Sequence, residues 1–264
     1  MRGIAMRRSG QALSVDSGRA RTLRRAAVAS VVACVSLVAS AGAASAAPAF
    51  APVTGSPFAT GLTPSSVAFS SNGARLATAD SGANTVSVFT VDSATGALTA
   101  VPSSPFPTGS DPSSVAFSPS ANLLAVANRG ANTVSVFTVN PGTGTLMQVP
   151  GSPFPTGHDP SSVAFSPSAS LLAVTNSDAN TVSVFTVNPG TGTLTQVPGS
   201  PFPTYSDPVS VAFSTKGQLA IANSGSNEGE VFTVNPGTGA LTSVIGIIFS
   251  AGSDPDSVAF SPNG

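Results

Sequence analysis

One segment of this chain recurs almost unchanged, and that recurrence limits the possible folds more than any other feature. Pro64-Ser65-Ser66-Val67-Ala68-Phe69 returns as Pro112 to Phe117 and Pro160 to Phe165, then with one change each as Pro208 to Phe213 and Pro255 to Phe260. The first three steps are 48 residues long and the last is 47, the lost residue falling in the turn between Phe213 and Leu219. A second block, Asn84 to Val91, returns at Asn132 to Val139 and Asn180 to Val187, and decays to Asn227-Glu228-Gly229-Glu230-Val231-Phe232-Thr233-Val234. A third, Gly55-Ser56-Pro57-Phe58, returns around Phe106, Phe154 and Phe202 and becomes Gly246-Ile247-Ile248-Phe249. Fourteen of the 15 Phe lie on these three registers, so one local packing solution is copied along the chain.

Each unit reads as four short strands. In the second unit they are Ser114 to Phe117, Leu123 to Ala127, Thr133 to Val139 and Thr145 to Val149, separated by turn-forming runs such as Asn140-Pro141-Gly142-Thr143-Gly144. A helical alternative fails on composition: Gly contributes 26 residues, Pro 23, and only 8% of the chain is charged. Along Val134-Ser135-Val136-Phe137-Thr138-Val139 both alternating sets contain large apolar side chains, so both faces of that strand are expected to be buried. A four-stranded sheet that is apolar on both faces needs a neighbour on each side. Radial stacking of such sheets is a β-propeller.

The charge distribution divides the chain. Seven of its ten basic residues precede residue 26, and an uncharged run from Ala26 to Ala47 follows, with the small-residue site Ala44-Ser45-Ala46 near its end. This order predicts a secretory signal over residues 1–46 and a propeller over 47–264, exported to the cell envelope or beyond, with no membrane span after cleavage. An uncleaved anchor and lipidation at Cys34 are the alternatives. After residue 46 three basic residues (Arg75, Arg129, Lys216) face ten acidic ones, a formal charge of −7. That excludes a basic surface for nucleic acid.

The unit P-S-S-V-A-F-S-P-x-x-x-L-L-A-V-A-N-x-x-x-N-T-V-S-V-F-T-V-N-P-x-T-G-x-L resembles the bacterial repeat family named for its Tyr-Val-Thr-Asn motif, and the related lactonase-type seven-bladed propellers. Leu124-Ala125-Val126-Ala127-Asn128 and Leu172-Ala173-Val174-Thr175-Asn176 occupy the place of that motif. The resemblance covers residues 53 to 264 and implies an all-β fold of four-stranded antiparallel blades. About four and a half blades are present of the seven that the resemblance implies. An incomplete seven-bladed chain, a four-bladed ring with a surplus strand, and self-association through open blade edges are the expected ways of closing it.

Because the repeat is scaffold, function is sought where one copy departs from the others. Arg129 replaces the Ser of positions 81, 177 and 224, and Asp178 replaces the Gly of 82, 130 and 225. His158 replaces the Ser of 110, 206 and 253, and Tyr205 the Gly of 109, 157 and 252. The first two lie in turns between second and third strands, the others in connections between blades, so all four fall on one face, with Glu228 near it. They are the candidate contacts of a small molecule, glycan or protein on that face. Lys216, on the opposite face, reads as a solvated charge, and Asn128, Asn176 and Asn223 as turn residues.

Asp111, Asp159, Asp207 and Asp254 open the innermost strand of successive blades, and the expectation is that they fold back onto nearby backbone N–H groups. A sharper alternative is a ring of carboxylates for Ca²⁺, although no dedicated calcium loop is present and no other cofactor is expected. By resemblance, lactonase-type propellers use His, Arg and carboxylates over the channel. The candidate trio here is His158 as base, Arg129 as oxyanion stabiliser, and Glu228 or Asp178 as carboxylate partner. With one His and so few cations, the residues read first as a non-catalytic binding or surface-display module. A lactone hydrolase resembling 6-phosphogluconolactonase is the alternative, and a structural envelope protein a third.

Overall fold

A computed structural model describes residues 51–120 and 122–264. The predicted export signal lies outside the described residues. Among those described, no helix is long and apolar enough to cross a membrane.

Four antiparallel sheets follow one another along the chain. The first blade holds β1 (Pro64–Phe69), β2 (Arg75–Asp80), β3 (Thr85–Val91), β4 (Leu98–Ala100) and β5 (Phe106–Pro107). The second holds β6 (Pro112–Phe117), β7 (Leu123–Asn128), β8 (Thr133–Val139), β9 (Leu146–Gln148) and β10 (Phe154–Pro155). The third holds β11 (Pro160–Phe165), β12 (Leu171–Asn176), β13 (Thr181–Val187), β14 (Leu194–Gln196) and β15 (Phe202–Pro203). The fourth holds β16 (Pro208–Phe213), β17 (Gln218–Asn223), β18 (Glu228–Val234) and β19 (Leu241–Ser250).

The expected four-stranded unit is present with one refinement. In the first three blades the outermost strand is two pieces, β4 and β5 for example, which pair with opposite ends of β3. Between the pieces runs a Ser-Pro segment, and proline has no N–H to give to a ladder. In the fourth blade Gly246-Ile247-Ile248-Phe249 replaces that segment, and β19 runs unbroken beside β18. At the other end of the described chain, Val53 packs 3.5 Å from where a Cβ on Gly96 would sit, the place Val101 occupies against Gly144. Residues 53–58 thus hold the position of an outer strand.

The core lies between sheets. Ala77, Ala79, Val86 and Val88 of the first blade meet Val115, Leu124, Val126 and Phe137 of the second, and the same pairing recurs at the next two interfaces. Small side chains on one face receive Leu and Phe from the other, which is why both faces of each strand are apolar. Val67, which begins this series, is 52% exposed where its equivalents Val115, Val163 and Val211 are 5–6% exposed, because among the described residues no inner strand stands against the outer side of β1.

Serine stitches the inner strands together. Ser65, Ser113 and Ser161 donate to the carbonyls of Pro112, Pro160 and Pro208 in the following blade at 2.6–2.7 Å. The backbone N–H groups of Val115, Val163, Val211 and Val258 donate back to Ser66, Ser114, Ser162 and Ser210. Pro255 to Phe260 therefore sits in the register of a fifth inner strand without pairing as one.

Candidate functional site

The turns between second and third strands, and the connections between blades, share one face. There the inter-blade contact is made by Asn132, which adopts φ 55°. Its Oδ1 accepts the backbone N–H of Asp159 at 2.9 Å, and Asn84, Asn180 and Asn227 accept those of Asp111, Asp207 and Asp254 in the same way. Each Asp is thereby pinned at a φ of 50–56° at the mouth of its inner strand.

The Asp carboxylates do not fold back onto their own backbone. Asp159 Oδ2 accepts the Ser177 hydroxyl at 2.6 Å and Asp207 Oδ2 that of Ser224 at 3.1 Å. In the second blade Arg129 stands where those serines stand, in a short 3-10 turn over Arg129–Ala131. Its Nη2 lies 2.7 Å from Asp111 Oδ2 and its Nε donates to the same oxygen at 2.7 Å. Being longer than Ser, the side chain also spans toward the next blade, and Nε comes within 3.7 Å of Asp159 Oδ1. The Arg129 side chain is 29% exposed and bridges two carboxylates at the mouth.

His158 precedes Asp159 and is exposed, its Nδ1 3.3 Å from Asn132 Nδ2. Arg129 thus joins Asp111 and Asp159 at the junction of the second and third blades, and His158 stands next to Asp159 in the chain with Asn132 as its side-chain partner. The other candidates lie in adjacent turns: Asp178 exposed beside Ser177, Tyr205 39% exposed before the fourth blade, and Glu228 half-buried at the start of β18. Asp207 and Asp254 stand one blade further on each. Among the described residues no three His, Cys, Asp or Glu side chains gather closely enough to hold a metal ion.

Asn128, Asn176 and Asn223, expected in turns, are instead fully buried. Asn176 Nδ2 donates to Thr181 Oγ1 and Ser183 Oγ on β13 while its Oδ1 accepts the Gly157 N–H, so one amide ties second strand, third strand and inter-blade connection together. Sequence reasoning also passed over Glu230, which takes the place of Ser135 and Ser183 on β18. It is 6% exposed, and burial raises its carboxyl above the ordinary value, with Glu228 adding to the effect. Its signal in the sequence was a departure at a serine of the third strand, read there as decay of the block.

Comparison with known proteins agrees with the blades. Residues 99–213 match the family described as Lactonase, 7-bladed beta-propeller. A candidate 6-phosphogluconolactonase from Bacteroides uniformis superposes with a TM-score of 0.67 at 20% identity, over 75% of this chain and 61% of that one. The periplasmic gluconolactonase PpgL of Pseudomonas aeruginosa superposes with a TM-score of 0.60 at 26% identity, over 71% of this chain and 54% of that one. The chain spans roughly half to three fifths of the length of these structures. No curated protein matches the sequence. The matched segment and the similar structures carry lactonase names, which corrects the expectation of a non-catalytic display module.

Proposed function

We propose, for a chain built of lactonase-type propeller blades, that it acts as a lactone hydrolase on a sugar lactone bound at the mouth between the second and third blades. The observation that carries this reading is Arg129, partly exposed and held between Asp111 and Asp159. Hydrolysis of a lactone adds water to the ring carbonyl and breaks the acyl C–O bond. The ring oxygen leaves as a hydroxyl after taking a proton. Nε and Nη2 of Arg129 are occupied by carboxylates, which leaves Nη1 to meet the carbonyl oxygen as negative charge develops there. His158 is placed to accept the proton of the attacking water and return one to the ring oxygen, its ring oriented through Asn132. Export is part of the proposal: residues 1–46 read as a secretory signal, and the Pseudomonas relative is periplasmic by name.

Glucono-δ-lactone hydrolysis followed by pH-stat tests it. Arg129→Ser restores the residue of the other three blades, so it keeps the hydrogen bond to Asp111 and the fold. The expected result is a fall in kcat of about a hundredfold, the usual cost of one oxyanion donor. An unchanged rate in Arg129→Ser, or no turnover by the parent chain, overturns the assignment.

A further inference from the structure

At the end of its second strand the fourth blade departs from the other three at several neighbouring positions. In the first three blades the connection entering the blade has a glycine against the buried amide or carboxyl that ends the second strand. A Cβ on Gly109 would lie 2.8 Å from Asn128 Cγ, and one on Gly157 2.8 Å from Asn176 Cγ. The fourth blade has Tyr205 there. The third-strand Thr and Ser that receive the amide, Thr181 and Ser183 in the third blade, are here Glu228 and Glu230. Asn223 is consequently fully buried without the Thr and Ser hydroxyls that serve the other blades, its side chain beside the Glu230 carboxyl, and one carboxyl oxygen of each Glu is buried without a partner.

Beside this group is a cavity of about 340 Å³ between the third and fourth blades. Glu230 faces it, with Phe202, Tyr205 and Phe232 as aromatic walls and Thr204 and Ser243 at its margin. Among the described residues no cation lines it. Of the three basic residues after residue 46, Arg75 donates to the carbonyls of Pro141 and Gly142, Arg129 pairs with Asp111, and Lys216 reaches the Gly264 carbonyl. We propose that this cleft binds an organic ammonium, an amine on a small apolar body, with the amine pairing with the Glu230 carboxylate and the apolar part packed on the aromatic walls. A carboxyl beneath aromatic faces favours a cationic donor over a neutral one of the same shape. The cleft is separate from Arg129 and His158, so the inference stands independently of the lactone reading.

Isothermal titration of the full chain with benzylamine, and with benzyl alcohol as its uncharged counterpart, provides the test. One saturable benzylamine site is expected, with benzyl alcohol at least about tenfold weaker. Glu230→Ser restores the serine of the other blades and should abolish benzylamine binding without altering lactone turnover. Glu230→Gln keeps the side-chain volume and should weaken it at least about tenfold. Equal affinity for amine and alcohol, binding undiminished in both variants, or no saturable binding at millimolar amine would overturn the proposal.

Discussion

Asn176→Ala tests how the blades are held, because the fourth blade contains its own control. Asn176 makes three hydrogen bonds, to Thr181 Oγ1 at 3.1 Å, to Ser183 Oγ at 3.0 Å and from the Gly157 N–H at 3.1 Å. Truncation loses three net contributions of about 1 kcal/mol each, and leaves the fully buried Ser183 hydroxyl without its donor. The expected loss is about 3–4 kcal/mol, which lowers Tm by roughly 6–16 °C for a domain of this size. Asn223 holds the equivalent position in the fourth blade and is equally buried, but the two hydroxyl partners are replaced there by Glu228 and Glu230. Asn223→Ala removes poorly satisfied polar atoms, a gain that offsets the packing lost with the side chain, so it should lower Tm by less than half as much as Asn176→Ala. Differential scanning calorimetry of the two variants beside the parent gives both numbers. Equal losses at the two sites would refute the reasoning, since burial would then matter and hydrogen bonding would not.

Further outcomes follow from the same contacts. The Glu230 carboxyl is raised by burial, so the folded protein holds its proton more tightly than the unfolded chain; stability is fullest below the ordinary value of 4.5 and declines as pH rises through the raised one. Glu230→Ser should flatten that decline and raise Tm at pH 7, as thermal melts across pH 4–8 would record. Asp92 runs the other way: hydrogen bonds from the Thr95 hydroxyl and the Thr95 and Ala94 N–H groups lower its carboxyl below 3.8. The order of that exposed turn is therefore present above 3.8 and lost as pH falls through the lowered value, and Asp92→Asn, the residue found at 140, 188 and 235, should remove the dependence in NMR titration of the Thr95 amide. Arg129→Ser should shift Tm by no more than a few degrees, because a partly exposed ion pair contributes about 1 kcal/mol or less and serine keeps a bond to Asp111.

The blades were legible because their information is local and repeated. Val134 and Val136 alternate with Ser135 and Phe137 on one short strand, and only a sheet covered on both faces accommodates that pattern. The Asn ends of the second strands were misread for the same local reason: an Asn before Ser or Arg at a strand end has turn chemistry in one dimension, while the burial of Asn176 depends on a serine seven residues ahead and a glycine nineteen behind. The carboxylates at the mouth were likewise misassigned. Their donors are 17 or 18 residues away, across a whole hairpin, and no spacing rule within the strand points to them.

Two kinds of departure from the repeat have different physical standing. Arg129 sits where a serine hydroxyl already bonded the Asp, keeps that bond and adds a reach to the next blade, so it is compatible with the scaffold and alters only the surface. Glu228 and Glu230 each replace a hydroxyl that is hydrogen-bonded in the three other blades, Tyr205 replaces a glycine packed against the same buried group, and two buried carboxyl oxygens are left unpaired. A neutral drift in an exposed loop carries no such cost, whereas each buried polar atom without a partner costs about 1–3 kcal/mol. Replacements that share one buried asparagine and line one cavity are therefore better explained by a ligand that completes their hydrogen bonds than by relaxation of the repeat, and the cleft between the third and fourth blades is where binding should be sought first.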